Sequence, residues 1–153
     1  MSTRNVLAIL LLAAATAACP AKKKPGEPQA SAGASTATAA AAAAGGATAE
    51  VGARIYGGNC VPCHQQNGAG IPSVYPSLAG SSVVLGDPAQ LARWVIQGQR
   101  PPSMPAGRYP TQMLQFGWMK PADAAALFSY LRSNFGNSAA PVDAAAVAKA
   151  LGQ

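Results

Sequence analysis

Reactive side chains are scarce in this 153-residue chain, which has three cysteines and one histidine. Two of the cysteines and the histidine form Cys60-Val61-Pro62-Cys63-His64, the C-x-x-C-H pattern that attaches a c-type haem. Thiols three positions apart on a helical turn can form thioethers with the two vinyl groups of one porphyrin. The imidazole of the next residue then faces the iron from the same side. The motif therefore predicts a covalent haem with His64 as its proximal ligand.

Other chemistries of a Cys-x-x-Cys pair stay open from the motif alone. A redox dithiol would need a βαβ pattern around it, and a structural zinc ion would need four ligands. A copper site and a disulfide across the short loop are further alternatives. The flanks of the motif show helical spacing and a Gly-rich loop, and the chain has too few Cys and His for zinc. These observations favour haem.

The second axial position has three methionine candidates. Because His64 is the sole histidine, this chain cannot supply a second imidazole. Met104, Met113 and Met119 all lie in residues 99–120, ahead of the last long predicted helix. We expect Met119, almost at the start of that helix, to be a capping hydrophobic residue.

Three main helices are predicted to position these residues. The spacing of Val51, Ile55 and Tyr56 indicates a helix ahead of the motif. A second helix begins at Asp87-Pro88 and ends at Gly98. The third begins at Pro121 and closes at Gly136.

Around these helices the sequence indicates long loops and no strand pair. A short last helix is predicted at Val142–Leu151, whereas residues 65–86 and 99–120 are predicted to be loop. The fold is therefore expected to be all-α, with three main helices, short helices and long loops around one haem. Gly68 and Gly70 are expected to let the backbone pass close to the porphyrin.

The hydrophobic content of 50% overstates the core, because alanine accounts for 36 residues. From Val51 onward only 30 of 103 residues are Val, Ile, Leu, Met, Phe, Trp or Tyr. One domain of this size is expected, with Trp94 and Phe128 in its core and a large apolar cofactor filling part of its interior.

The N-terminal segment predicts export. Arg4 precedes 13 uncharged residues, 6–18, which is shorter than the roughly 20 residues of a membrane span, so residues 1–18 are predicted to be a signal peptide. Thr16-Ala17-Ala18-Cys19 resembles the lipobox of bacterial lipoproteins, with Thr16 where Leu is usual. This resemblance predicts a lipidated Cys19 and a periplasmic, membrane-anchored protein. Cleavage at Ala15-Thr16-Ala17, which leaves Cys19 as a thiol, is the alternative.

Two segments follow the predicted signal peptide. Residues 19–50 contain no large apolar side chain and hold Lys22, Lys23 and Lys24, so we expect an Ala-, Pro- and Lys-rich flexible tether. Residues 51–153 are expected to form the folded domain.

Around the haem motif the sequence resembles class I cytochromes c. The resemblance rests on Tyr56-Gly57-Gly58-Asn59 before Cys60, on Gln65 to Pro72 after His64, and on Tyr75-Pro76-Ser77-Leu78-Ala79-Gly80. It is strongest to small monohaem cytochromes and to cytochrome domains that serve periplasmic dehydrogenases and oxidases, and it covers about residues 51–151.

This resemblance implies roles for several residues. Gly52 and Tyr56 on the first helix would pack against Tyr130 on the third. The carbonyl of Pro76 would orient the proximal imidazole, and Leu78 would line the haem face.

The resemblance also implies the distal ligand. The segment from Tyr109 to Gly117 is similar to the family's methionine loop and assigns this role to Met113, with Leu114 where Pro is usual. Arg108 and Tyr109 in the same loop are candidates for contact with the haem propionates.

A haem with two protein ligands implies an electron carrier rather than an enzyme, with dehydrogenases, respiratory complexes, oxidases or other cytochromes as redox partners. A haem-based sensor or peroxidase-like protein with a labile distal ligand is an alternative. A relay subunit of a dehydrogenase or respiratory complex is another.

The charge distribution bears on partners. Eleven basic and five acidic residues give a net charge of +6. Seven basic and three acidic residues lie beyond residue 50, or +4, which favours docking to an acidic rim on a redox partner. The single lysine run lies beside no aromatic residue, which excludes a typical nucleic-acid site.

Overall fold

Six helices form the regular secondary structure of residues 48–104 and 106–153, the part of the chain that this computed structural model describes. Within those ranges the only strand-like pairing is a single bridge between Ile71 and Tyr75. The predicted all-α architecture is confirmed. The predicted signal peptide, Cys19 and most of the predicted tether lie outside the described residues.

The first two helices present the cysteine motif. Helix α1 covers residues 48–59 and α2 covers Val61–His64. The Cys60 N–H donates to the Tyr56 carbonyl oxygen at 2.9 Å, and the His64 N–H donates to the Cys60 carbonyl oxygen at 2.8 Å. Because these bonds have helical i to i−4 spacing, the motif continues the first helix with little interruption.

Helix α3, Ser82–Leu85, lies in the segment predicted to be loop, so that prediction is wrong for one turn. The Ser81 hydroxyl accepts a hydrogen bond from the Val84 N–H at 3.5 Å, and Val84 is buried. A single turn is too short to show a hydrophobic period. Packing of Val84 in the core stabilises it instead.

Helix α4, Pro88–Gln97, agrees with the sequence prediction at both ends. The Asp87 carboxylate accepts from the Ala89 N–H at 2.9 Å, and Gly98 ends the helix in the left-handed conformation with φ 72°. Leu91, Trp94 and Val95 are buried on one face, as their spacing predicted.

Helix α5, Pro121–Ser133, ends three residues before the predicted Gly136. Asn134 is extended, and its side-chain amide donates to the Tyr130 carbonyl oxygen at 2.9 Å. This bond satisfies a carbonyl of the last turn and ends the helix early.

Helix α6, Ala144–Leu151, begins after the predicted Val142. The Asp143 carboxylate accepts from the N–H groups of Ala145 and Ala146 at 2.8 and 3.2 Å, which fixes the N-cap there. The helix packs against both α4 and α5.

The resemblance predicted that Gly52 and Tyr56 on α1 pack against Tyr130 on α5, and this contact is confirmed. A Cβ atom at Gly52 would collide with the Ala126 carbonyl oxygen and would lie 2.7 Å from Cβ of Tyr130. The rings of Tyr56 and Tyr130 are 5.6 Å apart. Phe135, which the sequence did not single out, lies 5.0 Å from Tyr56 and 5.8 Å from Tyr130.

The core includes Phe128, which is fully buried as predicted, and Met119. Within the described ranges no helix combines the length and the apolar character needed to cross a bilayer.

Candidate functional site

The cysteine motif borders a cavity of about 290 Å³. Cys60, Cys63 and His64 line it together with Met104 and Met113. A smaller cavity, of about 70 Å³, shares six of its lining residues with the first, so the two adjoin. We refer to the pair as the cleft.

His64 is held by its neighbours in an orientation that suits metal binding. Only 7% of the residue is exposed, and its Nδ1 lies 3.0 Å from the Pro76 carbonyl oxygen. Because a carbonyl oxygen only accepts, Nδ1 carries the proton and Nε2 keeps its lone pair. Burial lowers the pKa of His64, against an opposing effect of the hydrogen bond to Pro76. The imidazole is therefore neutral near pH 7, the form that binds a metal.

The Pro76 carbonyl is positioned by the turn after the motif. The Gly70 N–H donates to the His64 carbonyl oxygen at 2.9 Å, and Gly70 has a positive φ of 66°. A Cβ atom there would lie 2.5 Å from the Pro76 carbonyl oxygen. Glycine at position 70 thus leaves room for the acceptor of the His64 bond.

The two thiols do not resemble a catalytic dithiol. No disulfide joins Cys60 and Cys63, and burial, with a smaller contribution from Cys63, raises the pKa of the Cys60 thiol to about 11. Reactive dithiols have lowered pKa values. The described ranges also hold no group of three His, Cys, Asp or Glu side chains suited to a metal ion. The dithiol and zinc alternatives therefore gain no support.

Two of the three candidate methionines reach the cleft. Met104 and Met113 line both of its cavities. Met119 is buried in the core and lines neither. The geometry removes Met119 from the candidates and leaves Met104 beside Met113.

The other predicted site residues differ in whether they line the cleft. Leu78 lines the smaller cavity and Tyr109 the larger one. Arg108 is not among the lining residues of either cavity. Its guanidinium lies 5.8 Å from the centre of the Tyr109 ring. Arg100 does line the larger cavity, 5.5 Å from the centre of the Trp94 ring.

Trp94 and Asn137 have roles that the sequence did not reveal. Trp94 was predicted to be core, and it is buried, but it also lines both cavities. The Asn137 side-chain amide donates to the carbonyl oxygens of Leu78 at 3.1 Å and Leu131 at 2.7 Å, and its oxygen accepts from the Gly80 N–H at 2.8 Å. Asn137 thus ties the loop that carries Leu78 to the end of α5. Two of these partners are 57 and 59 residues away, so no local pattern marks the residue.

Gly68 packs against the ring of Phe135. Its φ is 69°, and a Cβ atom there would lie 2.5 Å from the ring of Phe135. This glycine makes room for an aromatic side chain of the fold.

The chemistry of the lining fits a haem. Two thiols, an imidazole with a free Nε2 and two thioethers meet at a wall that is otherwise largely apolar, with Leu78, Val84 and Leu131 in the smaller cavity. A flat apolar ring with two reactive vinyl groups and an iron atom matches these donors.

Comparisons with known proteins agree with this fit. The family model for cytochrome c matches residues 49–135. The cytochrome c subunit of a quinone alcohol dehydrogenase from Gluconobacter oxydans (strain 621H) is 32% identical over 98 residues, which is 61% of this chain and 20% of that protein. The corresponding subunit from Gluconacetobacter polyoxogenes is 32% identical over 99 residues, 61% of this chain and 21% of the relative.

A shorter match is to cytochrome c-552 of Thermus thermophilus, 62% identical over 29 residues, 19% of this chain and 21% of that protein. The aligned part of the chain spans about a fifth of the length of these relatives. The match to the family model covers more than half of the chain and includes the C-x-x-C-H motif. The chain therefore belongs to the cytochrome c family, as a class I c-type cytochrome that carries covalently bound haem c.

Proposed function

We propose that this protein carries single electrons on a haem c whose iron is bound by His64 and Met113. The observation that carries the proposal is the cleft, where the C-x-x-C-H motif, an oriented neutral imidazole and the Met113 thioether meet. When bound, the haem iron supplies a one-electron couple between Fe(III) and Fe(II). Cys60 and Cys63 attach the ring covalently.

The two proposed axial ligands act differently. The Nδ1–H of His64 donates to the Pro76 carbonyl, which fixes the ring plane and makes Nε2 a better donor. The thioether of Met113 favours the reduced iron and raises the reduction potential. With protein ligands on both faces no position is open to a substrate, which supports a carrier rather than an enzyme.

Met113→Ala tests the distal ligand. We expect this variant to lose the near-infrared sulfur-to-iron band and to have a lower reduction potential. Met104→Ala is the matched control, because Met104 lines the same two cavities, and it should keep both properties. Loss of the band in Met104→Ala, with its retention in Met113→Ala, would transfer the assignment to Met104.

Carbon monoxide separates the carrier from a sensor or peroxidase-like protein. A reduced protein with His64 and Met113 both bound should take up the gas slowly and incompletely at neutral pH. Rapid stoichiometric binding to the unmodified protein would overturn the proposed ligation and favour a labile distal position.

A dehydrogenase is the proposed electron donor. Two of the relatives are cytochrome c subunits of quinone alcohol dehydrogenases, and this supports such a partner, with this chain either as a free carrier or as a relay subunit. Co-purification of a dehydrogenase with the haem protein from detergent-solubilised membranes would favour the relay subunit.

We further propose that the protein is periplasmic and anchored through a lipidated Cys19. The lipobox-like sequence before Cys19 supports this. Cys19→Ser should move the haem protein from the membrane to the soluble fraction while its visible spectrum stays unchanged. An unchanged membrane fraction would contradict lipid anchoring at this residue.

A further inference from the structure

Arg132, near the end of α5, is a buried cation whose hydrogen-bond partners in the described part of the chain are all main-chain carbonyls. Only 7% of the residue is exposed. Its Nε donates to the Ala140 oxygen at 2.8 Å, and its Nη1 donates to the oxygens of Val84 at 2.7 Å and Gly86 at 2.9 Å. Among residues 48–104 and 106–153 no carboxylate pairs with it.

The carboxylates closest in sequence to these acceptors are used elsewhere. Asp87 follows Gly86, is exposed, and accepts from the Ala89 N–H at 2.9 Å. Asp143 is also exposed and caps α6. Both carboxylates are in contact with solvent, whereas within the described residues the buried guanidinium bonds only to carbonyl dipoles. The potential of a dipole falls with the square of distance and that of a charge with its first power, so a net positive potential extends beyond the first contacts.

This charge lies directly behind one wall of the cleft. Val84, whose carbonyl binds the guanidinium, lines the smaller cavity, and so does Leu131, the residue before Arg132. The bond between Arg132 and Val84 is itself buried. Salt screens a buried charge much less than an exposed one.

We propose that the buried charge of Arg132 raises the reduction potential of the haem iron in this cleft. The inference rests on the proposed function, because it needs a one-electron couple there. One electron passes from a donor protein to Fe(III) and gives Fe(II), with no bond made or broken by Arg132. The centre becomes one unit more negative, so a nearby positive charge stabilises the reduced form more than the oxidised form. Arg132 acts on the reduction potential through its charge and is not an iron ligand.

The test compares Arg132→Lys with Arg132→Gln in the haem-loaded protein. Both substitutions lose the planar guanidinium that binds three carbonyls, but only the Gln variant loses the charge. In spectroelectrochemical titrations we expect the equilibrium constant for reduction to be at least about threefold lower in the Gln variant than in the Lys variant, or about 30 mV for a one-electron couple. This difference should persist at high salt.

Lys149→Gln is the matched control, because Lys149 is exposed on α6 and the charge change is the same. Its effect on the potential should be smaller and should disappear at high salt. Unfolding of each variant in guanidinium chloride separately measures how far the substitution lowers the free energy of unfolding. Equal potentials in Arg132→Lys and Arg132→Gln, with both variants destabilised, would show a purely structural role and overturn the proposal.

Arg132→Met is a second neutral variant, in case the Gln variant does not retain haem. If neither neutral variant retains haem while Arg132→Lys does, the charge serves folding and the proposal is overturned. Failure of the proposed ligation is distinguishable, because it would appear in the sulfur-to-iron band of the unmodified protein. The comparison of Arg132→Lys with Arg132→Gln requires only that the haem iron is oxidised and reduced reversibly, whichever residue is its distal ligand.

Discussion

At the scale of single residues, hydrogen bonds to main-chain atoms set the properties of the important side chains. His64 donates to the Pro76 carbonyl, and Arg132 donates to three carbonyls. A carbonyl acceptor fixes orientation without adding a titratable group. Burial keeps the imidazole neutral against the effect of this bond, and within the described residues the guanidinium has no carboxylate partner.

Tyr56 gives a prediction for alkaline pH. Its hydroxyl donates to the Gln65 carbonyl oxygen at 2.5 Å, and burial raises its pKa from 10.0 to about 12. Because the folded state holds this proton more strongly, the contribution to stability is complete below pH 10 and is lost between pH 10 and about 12. The Tyr56→Phe variant has no phenol to titrate and does not lose stability in this way. The difference in free energy of unfolding between the unmodified protein and the variant should therefore shrink across that pH range.

Guanidinium unfolding of both proteins at intervals from pH 8 upward measures this advantage, and the subtraction removes all titrations common to the two. A difference in free energy of unfolding that stays constant to pH 12 would show that the phenol titrates alike in the folded and unfolded states.

At the scale of elements, the motif is presented by α1 and α2, which the crossing of α1 over α5 holds in place. That crossing depends on close approach at Gly52 and on the aromatic contacts of Tyr56 with Tyr130 and Phe135. A change at the crossing is therefore expected to reach the haem motif through α1.

Gly52→Ala should lower the free energy of unfolding by about 1–3 kcal/mol, the usual cost of overpacking. The added methyl group meets main-chain atoms of α5, which cannot move aside as a flexible side chain would. Gly57→Ala on the same helix is the control, because nothing lies within 4 Å of a Cβ atom there. It should raise stability by up to about 1 kcal/mol. Equal effects of the two substitutions in guanidinium unfolding would contradict the close-packed crossing.

At the scale of the whole molecule, the surface of the segment that carries Met113 has an apolar and a basic part. Leu114 is 75% exposed and Trp118 is 64% exposed, and both follow Met113 in the chain. The same segment, residues 99–120, carries Arg100, Arg108 and Lys120 and no acidic residue. This composition is the basis for the prediction that the protein docks to an acidic rim on a redox partner.

The rate at which hexacyanoferrate(III), a small anion, oxidises the ferrous protein measures the effect of this charge. Arg108→Gln combined with Lys120→Gln should slow the reaction several-fold at low salt, and the rate of the unmodified protein should fall as ionic strength rises. Lys149→Gln on α6 should have a smaller effect. A rate that does not depend on ionic strength would contradict a basic docking surface.

Much of the local structure followed from the sequence because its determinants are short-range. The helix-capping residues Asp87 and Gly98 fixed α4, and the spacing of Cys60, Cys63 and His64 indicated the cofactor together with the helical and Gly-rich flanks of the motif. The packing of α1 against α5 at Gly52, Tyr56 and Tyr130 was implied by the resemblance to class I cytochromes c and not by a local pattern. The end of α5 and the start of α6 differ from the prediction, since side-chain hydrogen bonds of Asn134 and Asp143 set these boundaries.

The sequence by itself determined the haem chemistry and the all-α class, because a covalent motif and helical periodicity are local properties. Tertiary structure alone decided that Arg132 and Asn137 lie buried behind the cleft, that Phe135 fills the space above Gly68, and that Met104 reaches the cleft beside Met113. Arg132 and Asn137 bond to atoms more than 40 residues away in the chain. Contacts across that separation depend on how the helices pack, which no local pattern encodes.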